Sequence, residues 1–231
     1  MIARAIGVVL AACLAASGCD QAPEPAESGR AERPRPSEQA PERGRGFDFY
    51  VLSLSWSPTY CATDDNPNPR QCETSRRYGF VVHGLWPQYE RGYPENCDTA
   101  GVEDVPEAIR RRLYDLMPSA GLIRHQWRKH GSCAGLSQAD YFDAVRAARS
   151  RVTVPQAYAR GAKAAPVDPR NVEQAFVDAN PGLTPGAIAV MCRDRHLYEV
   201  RICMTKALAF RDCAEVDRTQ CRSSQVSMPA P

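Results

Sequence analysis

At 231 residues the chain is long enough for one domain with a sizeable core. Its formal charge of +2 excludes the strongly basic footprint with which tight duplex binders neutralise many phosphates. A local cationic patch, all that an enzyme turning over its substrate needs, is still allowed.

Residues 1–19 read as an export signal. Arg4 carries the early charge, Ile6 to Leu14 are apolar, and Ala15-Ala16-Ser17-Gly18 are small. The apolar run is too short to span a bilayer. Cys19 follows Ser17-Gly18 as in a bacterial lipobox, although Ala16 stands where Leu is usual. Cys19 is therefore the expected lipidated mature N-terminus, with ordinary cleavage nearby as the alternative. Residues 20–46 hold five prolines, six acids and five arginines but no Val, Ile, Leu or aromatic residue. They cannot bury enough apolar surface to order themselves, and read as a flexible tether. The expected location is the periplasm or cell envelope, lipid-anchored, or else free secretion.

The folded region is expected over 47–231. Phe49 to Trp56 is strand-like and ends at Ser57-Pro58. Arg77 to His83 forms a second strand closed by Gly84. Asp104-Val105-Pro106 opens a helix with Ile109, Leu113 and Leu116 on one face, stopping before Pro118. Residues 122–130 read as helical, with Gly131 as a left-handed cap. Ser137, with Asp140 three residues on, resembles a capping box ahead of Tyr141, Phe142 and Val145. Asp168-Pro169 starts a helix that ends at Asn180-Pro181-Gly182. Ala187 to Cys192 and Leu197 to Met204 read as a hairpin turning around Arg193-Asp194. Strands at both ends with helices between them give an α+β domain, expected as a central antiparallel sheet with helices packed on it.

Beyond Cys13 and Cys19 there are eight cysteines: Cys61, Cys72, Cys97, Cys133, Cys192, Cys203, Cys213 and Cys221. An even set in an exported chain reads as a disulfide framework of about four bridges, whose pairing the spacing leaves open. None forms a C-x-x-C pair, so structural zinc is not indicated.

The chemistry concentrates at two of the four histidines. His83 stands in His83-Gly84-Leu85-Trp86-Pro87. His130 ends His125-Gln126-Trp127-Arg128-Lys129-His130, before Gly131-Ser132-Cys133. At about 100° per residue, His125, Gln126, Lys129 and His130 fall within one helical arc while Trp127 points away to pack. A solvated polar face is the bland reading of that arc. RNA carries its own nucleophile, the 2′-hydroxyl, so cleavage needs a base, an acid and a cation near the phosphate. Two imidazoles and an ammonium supply these without metal or other cofactor. His196 reads as a surface turn residue, and no H-x-x-x-H or H-E-x-x-H spacing supports a four-histidine metal site.

At these residues the chain resembles the ribonuclease T2 family. His83-Gly84-Leu85-Trp86-Pro87 looks like its first active-site motif and His125 to Cys133 like its second. The likeness extends to Tyr50-Val51-Leu52-Ser53-Leu54-Ser55-Trp56-Ser57-Pro58 and to Glu199-Val200-Arg201-Ile202-Cys203, covering roughly 47–221. The resemblance implies an endoribonuclease acting on single-stranded RNA through a 2′,3′-cyclic phosphate without a resident metal; a monomer is the default expectation. It makes His130 the general base and His83 the general acid, roles that reverse when water opens the cyclic phosphate. Lys129 would stabilise phosphate charge and His125 would hold the phosphate. Trp86 and Tyr93 would line or stack on a base, with core packing the alternative for Trp86. It also implies the pairs Cys61–Cys72, Cys97–Cys133, Cys192–Cys221 and Cys203–Cys213. Gln126 departs from the family's usual Glu, and an amide cannot carry charge or titrate. The alternative is thus a weakened or silent RNA-binding envelope protein.

Overall fold

The computed structural model describes residues 43–72, 75–159 and 163–231. The expected signal, Cys19 and the tether as far as residue 42 lie outside the described residues. The elements are β1 (Phe49–Trp56), α1 (Ser57–Thr63), α2 (Pro69–Cys72), β2 (Phe80–Gln88), α3 (Glu107–Arg111), α4 (Ala120–Lys129), α5 (Gln138–Ser150), β3 (Ala165–Val167), α6 (Pro169–Ala179), β4 (Ile188–Arg193), β5 (His196–Met204), α7 (Ala214–Asp217) and β6 (Val226–Met228). This is the expected α+β class. The sheet runs β2-β1-β5-β6-β3, with β4 also on β5. Its pairings are antiparallel except for one contact between β5 and β6, where His196 faces Ser227.

β1 is buried along its whole length because both faces of the sheet are covered. Its period of two sends Tyr50, Leu52, Leu54 and Trp56 into the main core. There they meet Val200 and Ile202 of β5, Tyr141 and Phe142 of α5, and Val172 and Phe176 of α6. Each such side chain contributes roughly 1.5–3 kcal/mol by leaving water. The opposite face carries a smaller cluster that includes Phe49, Val51, Trp86, Cys203 and Val216.

The second strand differs from expectation at both ends. It begins at Phe80, and it runs through Gly84 to Gln88. Opposite β1, Gly84 pairs with Ser53 and Val82 with Leu54, which leaves His83 as an extra, unpaired residue. A bulge of this kind re-aims side chains. It lets Val82 and Leu85 both reach the main core and turns Trp86 to the other face. Gly84 is required by close approach: a Cβ there would lie 2.0 Å from Gln126 Oε1 and 2.3 Å from Trp86 Nε1.

Three local expectations are corrected. α3 stops at Arg111, and the chain tightens into i→i+3 turns that still deliver Leu113 to the core. Gly131 does not adopt the left-handed cap; it opens a 3₁₀ turn (Gly131–Ala134), and positive φ falls at Gly135. The tether gives way to the domain before Phe47, since Arg43 N–H donates to the Lys206 carbonyl (2.8 Å) and Arg45 N–H to that of Ala134 (3.0 Å). Two helix starts are as read. Ser137 accepts from the Asp140 N–H at 3.1 Å and Asp168 accepts from that of Arg170 at 2.9 Å. The hairpin forms too, but its turn falls one residue later than read, on Asp194 and Arg195, both at positive φ, with Arg193 paired to His196.

Among the described residues four disulfides staple the fold, in the pairing that the resemblance implied. Cys97–Cys133 ties the loop after β2 to the turn after His130. Cys203–Cys213 lies nested inside Cys192–Cys221. Among the described residues, no helix is long and apolar enough to cross a membrane.

Candidate active site

Two elements supply the histidines. The bulge of β2 presents His83. α4 is started by Ser119, whose hydroxyl accepts from the Leu122 N–H at 3.2 Å, and it buries Ile123 and Trp127 in the core. That fixes the opposite arc, so His125, Gln126 and Lys129 line one cavity of about 240 Å³ together with His130, His83, Trp86 and Tyr93. The helix ends one residue earlier than read: His130 is its C-cap, at φ −124° and ψ −47°.

His130 is only 6 % exposed. The Trp86 ring stacks on it, with centroids 5.1 Å apart at 28°, and its Nδ1 is buried without a hydrogen-bond partner among the described residues. Burial, then the nearby charges of Lys129, His83 and His125, push its pKa down to about 3. At neutral pH this ring is therefore uncharged. His125 is lowered as well, chiefly by burial and then by Lys129.

Trp86 is 9 % exposed, so most of its surface packs and the remainder lines the cavity. Its indole N–H donates to Gln126 Oε1 at 2.8 Å. Gln126 is 1 % exposed, and its Nε2 has no hydrogen-bond partner among the described residues. Tyr93 is 51 % exposed, with its ring 6.5 Å from that of His130. Lys129 Nζ lies 3.3 Å from Glu95, an ion pair that nothing in the sequence announced.

The residue most clearly missed is Glu199. It sits fully buried on β5, and its Oε2 is 2.7 Å from His83 Nδ1. Its Oε1 accepts from Arg201 Nε at 2.6 Å. Burial would raise this carboxyl, but His83 and Arg201 hold it well below the usual carboxylate range. A signal did exist, because Glu199 and Arg201 are charges two apart in an otherwise apolar strand and so share one face. A second cavity, of about 380 Å³, adjoins the first through His83 and His125 and is walled by Tyr60, Asn68, Leu122 and Tyr198. His196 opens β5, with Nδ1 2.8 Å from the Asp194 carbonyl oxygen.

Comparison with known proteins gives this arrangement its context. A ribonuclease from Aeromonas hydrophila is 40 % identical over 173 residues, covering 73 % of this chain and 76 % of the relative. Among solved structures, an RNase-related protein from Calystegia sepium superposes with a TM-score of 0.63 at 21 % identity, over 80 % of this chain and 98 % of the other. RNase NT, solved in complex with 5′-AMP, gives 0.61 at 22 % identity, over 81 % and 100 %. The protein is thus an enzyme, an endonuclease acting on RNA. The sequence profile of the ribonuclease T2 family matches residues 47–213, and the chain belongs to that family.

Proposed function

We propose that this ribonuclease cuts single-stranded RNA by transesterification through a 2′,3′-cyclic phosphate, without metal, using His130 as general base and His83 as general acid. The observation that carries this reading is that both imidazoles line a single cavity beside Lys129 and His125. Neutral His130 takes the 2′-hydroxyl proton as the oxygen attacks phosphorus. His83 gives its Nε2 proton to the departing 5′-oxygen. In the second step His83 takes a proton from water, which attacks the cyclic phosphate, and His130 returns its proton to the 2′-oxygen. Lys129 and His125 offset the charge gained by the phosphorane.

Internal cleavage is supported by the two cavities that meet at His83 and His125, one for the nucleotide on each side of the scissile phosphate. Tyr93 offers an open ring to a base, whereas Trp86 offers only what His130 leaves uncovered. Gln126 has its oxygen engaged by Trp86 and, among the described residues, a buried and unpaired N–H₂ in the cavity wall, a neutral donor where a carboxylate would add negative charge beside the phosphate. That neutral donor favours an active enzyme over the silent RNA-binding alternative. Four disulfides suit an oxidising compartment. The reading therefore includes export to the periplasm or envelope; with it go anchoring through Cys19, on the strength of Ser17-Gly18-Cys19 alone, and action as a monomer as the default.

The test is RNA cleavage in chelator, with detection of 2′,3′-cyclic ends. Wild type should produce them, and His83→Ala and His130→Ala should each lower the rate about 10²- to 10⁴-fold. Activity that needs added metal, or that survives both substitutions, would overturn the reading.

A further inference from the structure

We propose that Glu199 is a positioning residue for His83, clamped in turn by Arg201, and that it fixes which nitrogen of His83 exchanges the proton. The inference rests on the reading of His83 as an acid and base. A carboxylate only accepts, so the 2.7 Å contact requires a proton on His83 Nδ1. Nε2 is then the nitrogen left to face substrate. In the first step the imidazolium gives up its Nε2 proton as the P–O5′ bond breaks, and the neutral ring keeps Nδ1–H on Glu199. In the second step Nε2, with its lone pair free, takes the water proton while the new P–O bond forms and the P–O2′ bond breaks. The same Nδ1–H···Glu199 bond serves both steps, so the ring need not turn over between them.

The fold is arranged for this contact. His83 is on β2 and Glu199 on β5, with β1 between them, and strands lie roughly 4.8 Å apart. The reach across β1 is open because Ser53 and Ser55 stand on that face, opposite Arg201 and Glu199. The bulge turns His83 toward this face. A wholly buried carboxylate with no partner is expensive, and here each oxygen has one. Arg201 lies over the Trp86 ring, 5.1 Å from its centroid, and lines the cavity. One connected set thus runs from the indole beside His130 to the imidazole of His83. Besides Glu199 and Arg201, the titratable groups around His83 are Tyr93, His125, Lys129 and His130 in the first cavity and Tyr60 and Tyr198 in the second.

The experiment compares Glu199→Gln and Glu199→Asp with wild type in steady-state kinetics, and reads the His83 tautomer by ¹⁵N NMR, assigned with His83→Ala. Glu199→Gln should lower kcat about 10- to 10³-fold with KM little changed. Glu199→Asp should recover part of that loss. In wild type the neutral His83 ring should carry its proton on Nδ1, and that wild-type spectrum decides the question even if both substitutions unfold the protein. An Nε2-protonated ring overturns the proposal, as does folded Glu199→Gln with wild-type kcat. Where His83→Ala abolishes cleavage and Glu199→Gln does not, the positioning role fails alone. Where neither matters, the acid–base reading fails with it.

Discussion

The His130 ring lies against Trp86 beside Lys129, and burial with these neighbours brings its pKa to about 3. The unfolded imidazole titrates near about 6.5. Between those values the unfolded chain binds a proton that the folded chain refuses. This contribution to stability is therefore intact above about pH 6.5 and is lost progressively as pH falls toward 3. His130→Phe keeps a ring on Trp86 and removes the titration. Urea unfolding measured from pH 7 to 4 should show a shallower decline for the variant, by on the order of a few kcal/mol at the acid end. Parallel curves would mean that His130 ionises freely. His125, depressed for similar reasons, keeps some slope in both proteins. Below the ordinary carboxylate range Glu199 adds its own loss, since its folded pKa is depressed and its stabilisation needs the ionised form.

Between α4 and the 3₁₀ turn, Gly131 is a contact point. A Cβ there would meet the Trp127 and Tyr141 rings at 2.7 Å. Gly131→Ala should destabilise by about 1–3 kcal/mol, since rings packed in a core cannot move aside freely. The shift in urea midpoint at constant m-value measures it, and a stabilised variant would show that the rings give way. Sequence alone pointed to a glycine cap here because the pattern Lys129-His130-Gly131 looks like a helix end; it does not reveal that Tyr141, ten residues on, occupies the space. The same limit explains β2. The polar arc of α4 was legible because it depends on local periodicity and on Trp127 being the residue that packs. The bulge was not, because register is set between strands. Nor was the partnership of His83 with Glu199, 116 residues apart, although both lie in stretches that looked distinctive.

Across the whole domain, the bridges close loops of different lengths. Cys97 and Cys133 are 36 apart and Cys203 and Cys213 are 10 apart. Loop entropy assigns the first about 4 kcal/mol and the second about 3 kcal/mol. Replacing each pair by alanines and measuring unfolding in urea should give that order; the reverse order would mean that contacts in the folded state outweigh loop entropy. The longer bridge should also cost activity at temperatures where the variant stays folded, because Asn96, next to Cys97, donates its N–H to the Lys129 carbonyl at 2.8 Å. Removing Cys61–Cys72, whose separation is 11, should cost activity less, since neither cysteine lines the first cavity.

Struck from the ladder, His83 would not be missed by the sheet. Val82 would still face the main core, Gly84 the cleft, Leu85 the core and Trp86 the cleft, an unbroken alternation paired with β1 without offset. The strand is spelled in one reading frame, and the reactive residue is a letter inserted into it. Folding and chemistry are thereby written separately at this position. Loss of the histidine would leave that alternation intact but would strip the buried Glu199 Oε2 of its partner, so the cost would fall on the site and not on the strand pairing.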